Sequence, residues 1–160
     1  MFDVIHTSTD SDRPRGVEIM TEVVREGGCQ CGAVRFRTRA EPVRVLACHC
    51  QTCKQRTGGP YGIGVYFNDS DVEFLQGEMK TFEFHSSASG RWLRNEFCSA
   101  CGCTVTWTLE MRPGARGMAV GNFDDADAFT VTAHVWSESA RSDMRYPDTV
   151  DVHEQALPPA

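Results

Sequence analysis

The eight cysteines fall into three tight groups and nowhere else. GGCQCG carries Cys29 and Cys31, ACHCQTC carries Cys48, Cys50 and Cys53, and FCSACGC carries Cys98, Cys101 and Cys103. A disulfide within Cys-x-Cys is geometrically poor, because the Cα separation and the Cβ directions seldom suit the bond. Closely spaced thiolates on tight turns instead converge on one tetrahedral zinc ion, with Zn–S about 2.3 Å. Gly28, Gly32 and Gly102 supply backbone freedom for such turns. The plain alternative, a small buried hydrophobe, suits an isolated cysteine and competes seriously only for Cys103. Spacing does not say which pairs share an ion. Joining Cys29 and Cys31 to Cys98 and Cys101 would staple distant parts of the chain, and such a staple contributes directly to folding. One four-thiolate site built from two pairs leaves the trio Cys48, Cys50 and Cys53 short of a fourth ligand. Structural zinc is closed by protein ligands, whereas catalytic zinc keeps a position open, so the trio is the candidate reactive site.

This reading requires reduced thiols. The first residues, MFDVIHTSTDSDRPRG, are acidic where a secretory signal is basic and lack an apolar stretch, and no later run approaches a membrane span. A cytoplasmic location is therefore expected, with no membrane partner. The net charge is −6 and the basic residues are scattered through the sequence, which argues against nucleic acid and for a small-molecule ligand. The oligomeric state is left open, a homodimer included.

With 160 residues the chain accommodates one domain. Residues 1–20 read as a polar, partly ordered leader, 21–145 as a zinc-binding domain and 146–160 as a C-terminal tail. Within the domain, AVRFRT, PVRVLAC, GIGVYF, KTFEFH, WLRNEF and TVTWTL read as strands by length, alternation and β-branched or aromatic content. GMAVG and VTAHVW are two further apolar pieces, and the NFDDADAF between them suits a turn or one short helix. No long 3.6-residue period occurs, so the class is mainly β.

Taken together, GGCQCGAVRF (27–36), CHCQTCKQRTGG (48–59), LQGEMKTFEF (75–84), FCSACGC (97–103), GNFDDADAF (121–129) and AHVW (133–136) resemble the glutathione-dependent formaldehyde-activating enzymes, the Gfa or centromere protein V family. The resemblance implies a β-tent fold pinned by zinc knuckles. It implies a structural zinc on Cys29, Cys31, Cys98 and Cys101, and a second, more open zinc on Cys48, Cys50 and Cys53. It implies an enzyme that adds glutathione to formaldehyde, formally a carbon–sulfur lyase run in reverse. Two positions depart from the family pattern. Cys103 stands where Thr or Ser is usual and could supply a fourth ligand to the second zinc. Ser142-Asp143 stands where a Pro-Trp pair often follows the HVW segment.

Three thiolates leave a zinc site formally at −1, so bound water should ionise less readily than at zinc on three imidazoles. Capture of a substrate thiol suits such a site better than hydrolysis. Lys54 and Arg56 lie just past the trio and could contact the carboxylates of glutathione. His49, between two ligand cysteines on an extended segment, should face away from their ion into packing. Phe67, Trp107, His134 and Trp136 read as core, and the TGG at 57–59 as a turn or a place of close backbone approach. Two other readings stay open: a non-catalytic zinc module that binds protein, and an enzyme of the same site acting on a different thiol adduct.

Overall fold

The computed structural model describes residues 23–87 and 89–157. The expected leader at 1–20 lies outside these residues, as does the end of the tail. The elements are β1 (Arg25–Gly28), β2 (Arg35–Thr38), β3 (Arg44–Cys48), α1 (Gln51–Thr57), β4 (Gly62–Asn68), β5 (Val72–Gln76), β6 (Met79–His85), β7 (Trp92–Cys98), β8 (Thr104–Leu109), β9 (Ala115–Ala119), β10 (Ala133–Val135) and β11 (Asp151–Val152). Each strand expected from the alternating runs is present. The Asp-rich segment between β9 and β10 forms two short 3-10 turns, Val120–Asn122 and Ala126–Ala128.

Two sheets result. The smaller has the order β1-β2-β5, and the larger β11-β10-β3-β4-β9-β8-β7-β6. Neighbours are antiparallel except at one edge, where β10 runs parallel to both β3 and β11. The tail therefore returns to the sheet at Asp151–Val152 before its final residues. No helix among the described residues is long and apolar enough to cross a membrane.

Alternation along the strands builds the core. Val34 and Phe36 from the small-sheet side meet Val45, Val65, Phe67 and Met118 from the large sheet. Phe123 bridges them, with its ring 5.1 Å edge-on to Phe36, 6.1 Å from Phe67 and 4.5 Å from Phe129. Each buried aromatic or aliphatic side chain of this kind contributes about 1.5–3 kcal/mol. Cys29 and Cys98 are buried in the same cluster, so the core and the first cysteine group are one structure.

On β8, Trp107 lies over two glycines. It stands directly opposite Gly117 on β9. A Cβ at Gly117 would come 2.3 Å from the indole, and one at Gly64 on β4 would come 2.8 Å from it. The glycines form a shallow seat that lets the indole lie flat along the sheet. Gly117→Ala should therefore destabilise the fold by about 1–3 kcal/mol through overpacking. Gly121→Ala, where a Cβ meets nothing within 4 Å, should cost much less. Urea denaturation of the two variants checks the difference.

Candidate metal centre and adjoining cleft

The first cysteine group is built from two similar turns. After β1, Gly32 N–H donates to Cys29 O (3.0 Å); after β7, Gly102 N–H donates to Cys98 O (3.0 Å). Gly32 and Gly102 adopt φ of 76° and 73°, the left-handed region that glycine enters without strain. The turns bring Cys29, Cys31, Cys98 and Cys101 together with every sulfur within 4.8 Å of the others. Cys29 and Cys31 Sγ are 3.5 Å apart, and Cys31 and Cys98 Sγ 3.8 Å. Four sulfurs on one tetrahedral ion at about 2.3 Å stand about 3.8 Å apart, so the spacing fits. Backbone amides also aim at the sulfurs, Val34 N–H at Cys29 (3.2 Å) and Ala100 N–H at Cys98 (3.4 Å). Burial would raise the Cys29 thiol, but the Val34 amide and the neighbouring sulfurs bring it down to about 6. The set can hold a metal ion through ligands that come half from the small-sheet side and half from the end of β7.

The second group sits where β3 passes into α1. Cys48 ends β3, Cys50 is the N-cap of the helix with its sulfur accepting from Cys53 N–H (3.5 Å), and Cys53 lies in the first turn. The three sulfurs lie within 4.8 Å of one another. Hydrogen bonds from Cys48 and Cys53 hold Cys50 down, to about 2, while the bond with Cys50 pushes Cys48 up. Sulfurs packed this closely resist losing all their protons in the absence of a cation. That is the chemistry of a metal-ligand set.

Cys103 does not complete the trio. Its sulfur donates to Asn122 Oδ1 (3.3 Å), it packs against the core, and it belongs to neither metal-ligand group among the described residues. The reason is geometric: Cys103 leads from the first group's turn into β8, and Asn122, itself tied to Thr104 O (2.8 Å), holds it there.

The trio opens onto a cleft of about 190 Å³. Arg56 reaches from α1 to lie over the Trp107 ring, 3.6 Å from its centroid, with its guanidinium 3.9 Å from Cys53 Sγ. Trp107 Nε1–H in turn donates to Tyr66 Oη (3.4 Å). Burial pushes the Tyr66 hydroxyl well above the usual phenol range, so it stays protonated. Lys54, paired with Arg56 in the sequence reading, points elsewhere and donates to Ser139 O (2.8 Å), tying the helix to the turn after β10. Gly58 caps that helix, its amide donating to Lys54 O (2.8 Å). Arg141 and Asp143 form an exposed ion pair away from the cleft (2.8 Å).

Trp107 is buried, as expected, and its ring also forms part of the cleft wall, with one face toward Arg56. Trp136, also expected in the core, is half-buried and lines the cleft instead. Trp136 is turned outward by a left-handed backbone (φ 59°), uncommon for so bulky a residue. The returning tail holds it there: Trp136 N–H donates to Gln155 O and Ser137 N–H to His153 O. Tyr66 was missed in the sequence. Its signal was the alternation in GIGVYF, which puts it on the Gly64 face opposite the core residue Phe67.

His49 faces away from the trio, as its extended CHC segment requires. It is fully buried, and its Nε2 lies 2.9 Å from His134 Nδ1 on the parallel strand β10. Burial lowers the proton affinity of both rings. Among the described residues His49 Nδ1 has no hydrogen-bond partner, and the ring's one hydrogen bond there is to His134. His134→Leu leaves both nitrogens of His49 unpaired and should cost about 1–3 kcal/mol in urea denaturation. An unchanged midpoint would show that the pair is not structural.

Comparison with known proteins follows the same lines. The chain matches the family described as glutathione-dependent formaldehyde-activating enzyme over residues 24–139. A protein of Halomonas elongata that carries the provisional name glutathione-dependent formaldehyde-activating enzyme is 33% identical over 91 residues. That alignment covers 54% of this chain and spans 57% of the relative's length. A crystal structure of a Rhodobacter sphaeroides protein, 21% identical, superposes with a TM-score of 0.50 over 66% of this chain and 96% of that one, a likeness of fold. The cysteine groups, the two-sheet β architecture and the match across 24–139 make this chain a member of the glutathione-dependent formaldehyde-activating enzyme family.

Proposed function

We propose that the chain is a zinc-dependent enzyme of carbon–sulfur chemistry that joins a thiol such as glutathione to formaldehyde or a similar small aldehyde, and cleaves the adduct in the reverse direction. The observation that carries this reading is the inequality of the two cysteine groups. One has four converging sulfurs; the other has three, and it opens onto a cleft. The four-sulfur group suits a structural ion, and the trio an ion with a position left for substrate.

A zinc ion on the trio would supply a positive centre at which a thiol gives up its proton more readily than water does. The remaining work falls to side chains of the cleft. In the forward direction one S–C bond forms, the carbonyl π bond breaks, and the thiol proton ends on the former carbonyl oxygen. Negative charge builds on that oxygen first. Arg56, fixed by its stack on Trp107 beside Cys53, offers a permanent positive charge there. Tyr66 accepts from Trp107, and its own O–H remains free to donate. Donors fixed before the reaction are the main means by which such charge is stabilised.

Cys53→Ser should abolish turnover of a thiol substrate with formaldehyde while the near-ultraviolet circular dichroism is kept, because the four-sulfur group is untouched. Tyr66→Phe should lower kcat about 100-fold, the usual cost of one oxyanion donor. Unchanged turnover in a folded Cys53→Ser variant would overturn the proposal.

A further inference from the structure

The walls of the cleft give its chemistry in more detail, and the inference below rests on the trio acting as a thiol-capture site. All three tryptophans of the chain, Trp92, Trp107 and Trp136, line it. Between them stand aliphatic side chains, among them Leu46, Leu93, Leu109 and Leu157. Four of the chain's sixteen basic residues also line the cleft: Arg44, Arg56, Arg91 and Arg112. Among the described residues no Asp or Glu side chain does so, although the chain as a whole carries −6. Arg44, Arg91 and Arg112 make no ion pair or side-chain hydrogen bond among the described residues. An apolar trough rimmed by unneutralised guanidinium groups is complementary to an apolar anion.

Glutathione matches these walls poorly. Its two carboxylates would suit the arginines, but its ammonium group meets no carboxylate among the described lining residues, and its peptide groups would lose water against tryptophan and leucine with few acceptors in return. We infer that the thiol taken by this cleft is an apolar organic acid, with its sulfur at the trio, an aromatic or branched hydrocarbon body along the tryptophan wall, and its carboxylate at the arginine rim. Addition to a small aldehyde then proceeds as above: the thiol S–H breaks, the S–C bond forms, and the proton passes to the carbonyl oxygen. No oxidant or reductant enters.

Binding tests this directly, without turnover. Zinc-loaded protein is titrated calorimetrically with 4-mercaptobenzoate, 4-methylthiophenol, 4-methylbenzoate and glutathione. 4-Mercaptobenzoate should bind at least about tenfold more tightly than glutathione. The charge-neutralising pair Arg44→Gln and Arg112→Gln should weaken it about tenfold, the scale of one charge-assisted hydrogen bond. Binding of uncharged 4-methylthiophenol should stay unchanged in that variant, which also shows that the cleft is still folded. Glutathione binding as tightly as 4-mercaptobenzoate, or arginine variants without effect on it, would overturn the inference. The thiol-capture reading fails separately. If 4-methylbenzoate binds as tightly as 4-mercaptobenzoate, and Cys53→Ser changes neither, the apolar anion site stands and sulfur capture does not.

Discussion

The fold depends on the convergence of four thiols from opposite ends of the domain. Cys29 and Cys31 leave the small-sheet side, Cys98 and Cys101 leave β7, and the two turns meet with sulfurs 3.5–3.8 Å apart where measured between neighbours. Cys29 and Cys98 are at the same time members of the buried core. Thiols placed so closely are unfavourable neighbours once ionised, so the arrangement would gain from a cation, and a bound cation's energy would become folding energy. The similar geometry of the two turns, each with a left-handed glycine, is what makes the convergence possible from sequence positions so far apart.

The trio uses different means. Its sulfurs are placed by the junction of a strand and a two-turn helix, with Cys50 serving at once as N-cap and as the sulfur that accepts from its neighbours. One side of the junction is sealed by the His49–His134 pair and the rings of Tyr61 and Tyr146 around it. The other side opens onto the cleft, where Trp107 lies against Gly64 and Gly117 and Arg56 stacks on its indole.

Much of this was legible in the sequence because it is local. Cysteine spacing marked the three clusters and the trio, the family resemblance implied the joining of Cys29 and Cys31 to Cys98 and Cys101, and period-two alternation marked most strands. The extended CHC segment correctly turned His49 away from its neighbours. What was not legible depended on tertiary partners. The helix Gln51–Thr57 is too short to show a period, β1 is half glycine, and β11 exists only because β10 offers it an edge. The place of Cys103 was decided by Asn122, nineteen residues on. Trp136 read as core because aromatic residues on strands usually are; its left-handed backbone, held by the returning tail, turned it to the cleft. The arginine rim gathers residues from β3, α1 and two loops, and no window of sequence contains it.

The central claim is that the two cysteine groups are unequal metal sites, one holding the fold together and one open to ligand. Stepwise chelation of the metal-loaded protein, followed by metal content and circular dichroism together, tests it most directly. The expected result is two ions per chain, the first leaving readily with the β signal intact and the second leaving only as that signal is lost. Two ions that leave together, or complete metal removal with the fold unchanged, would contradict it.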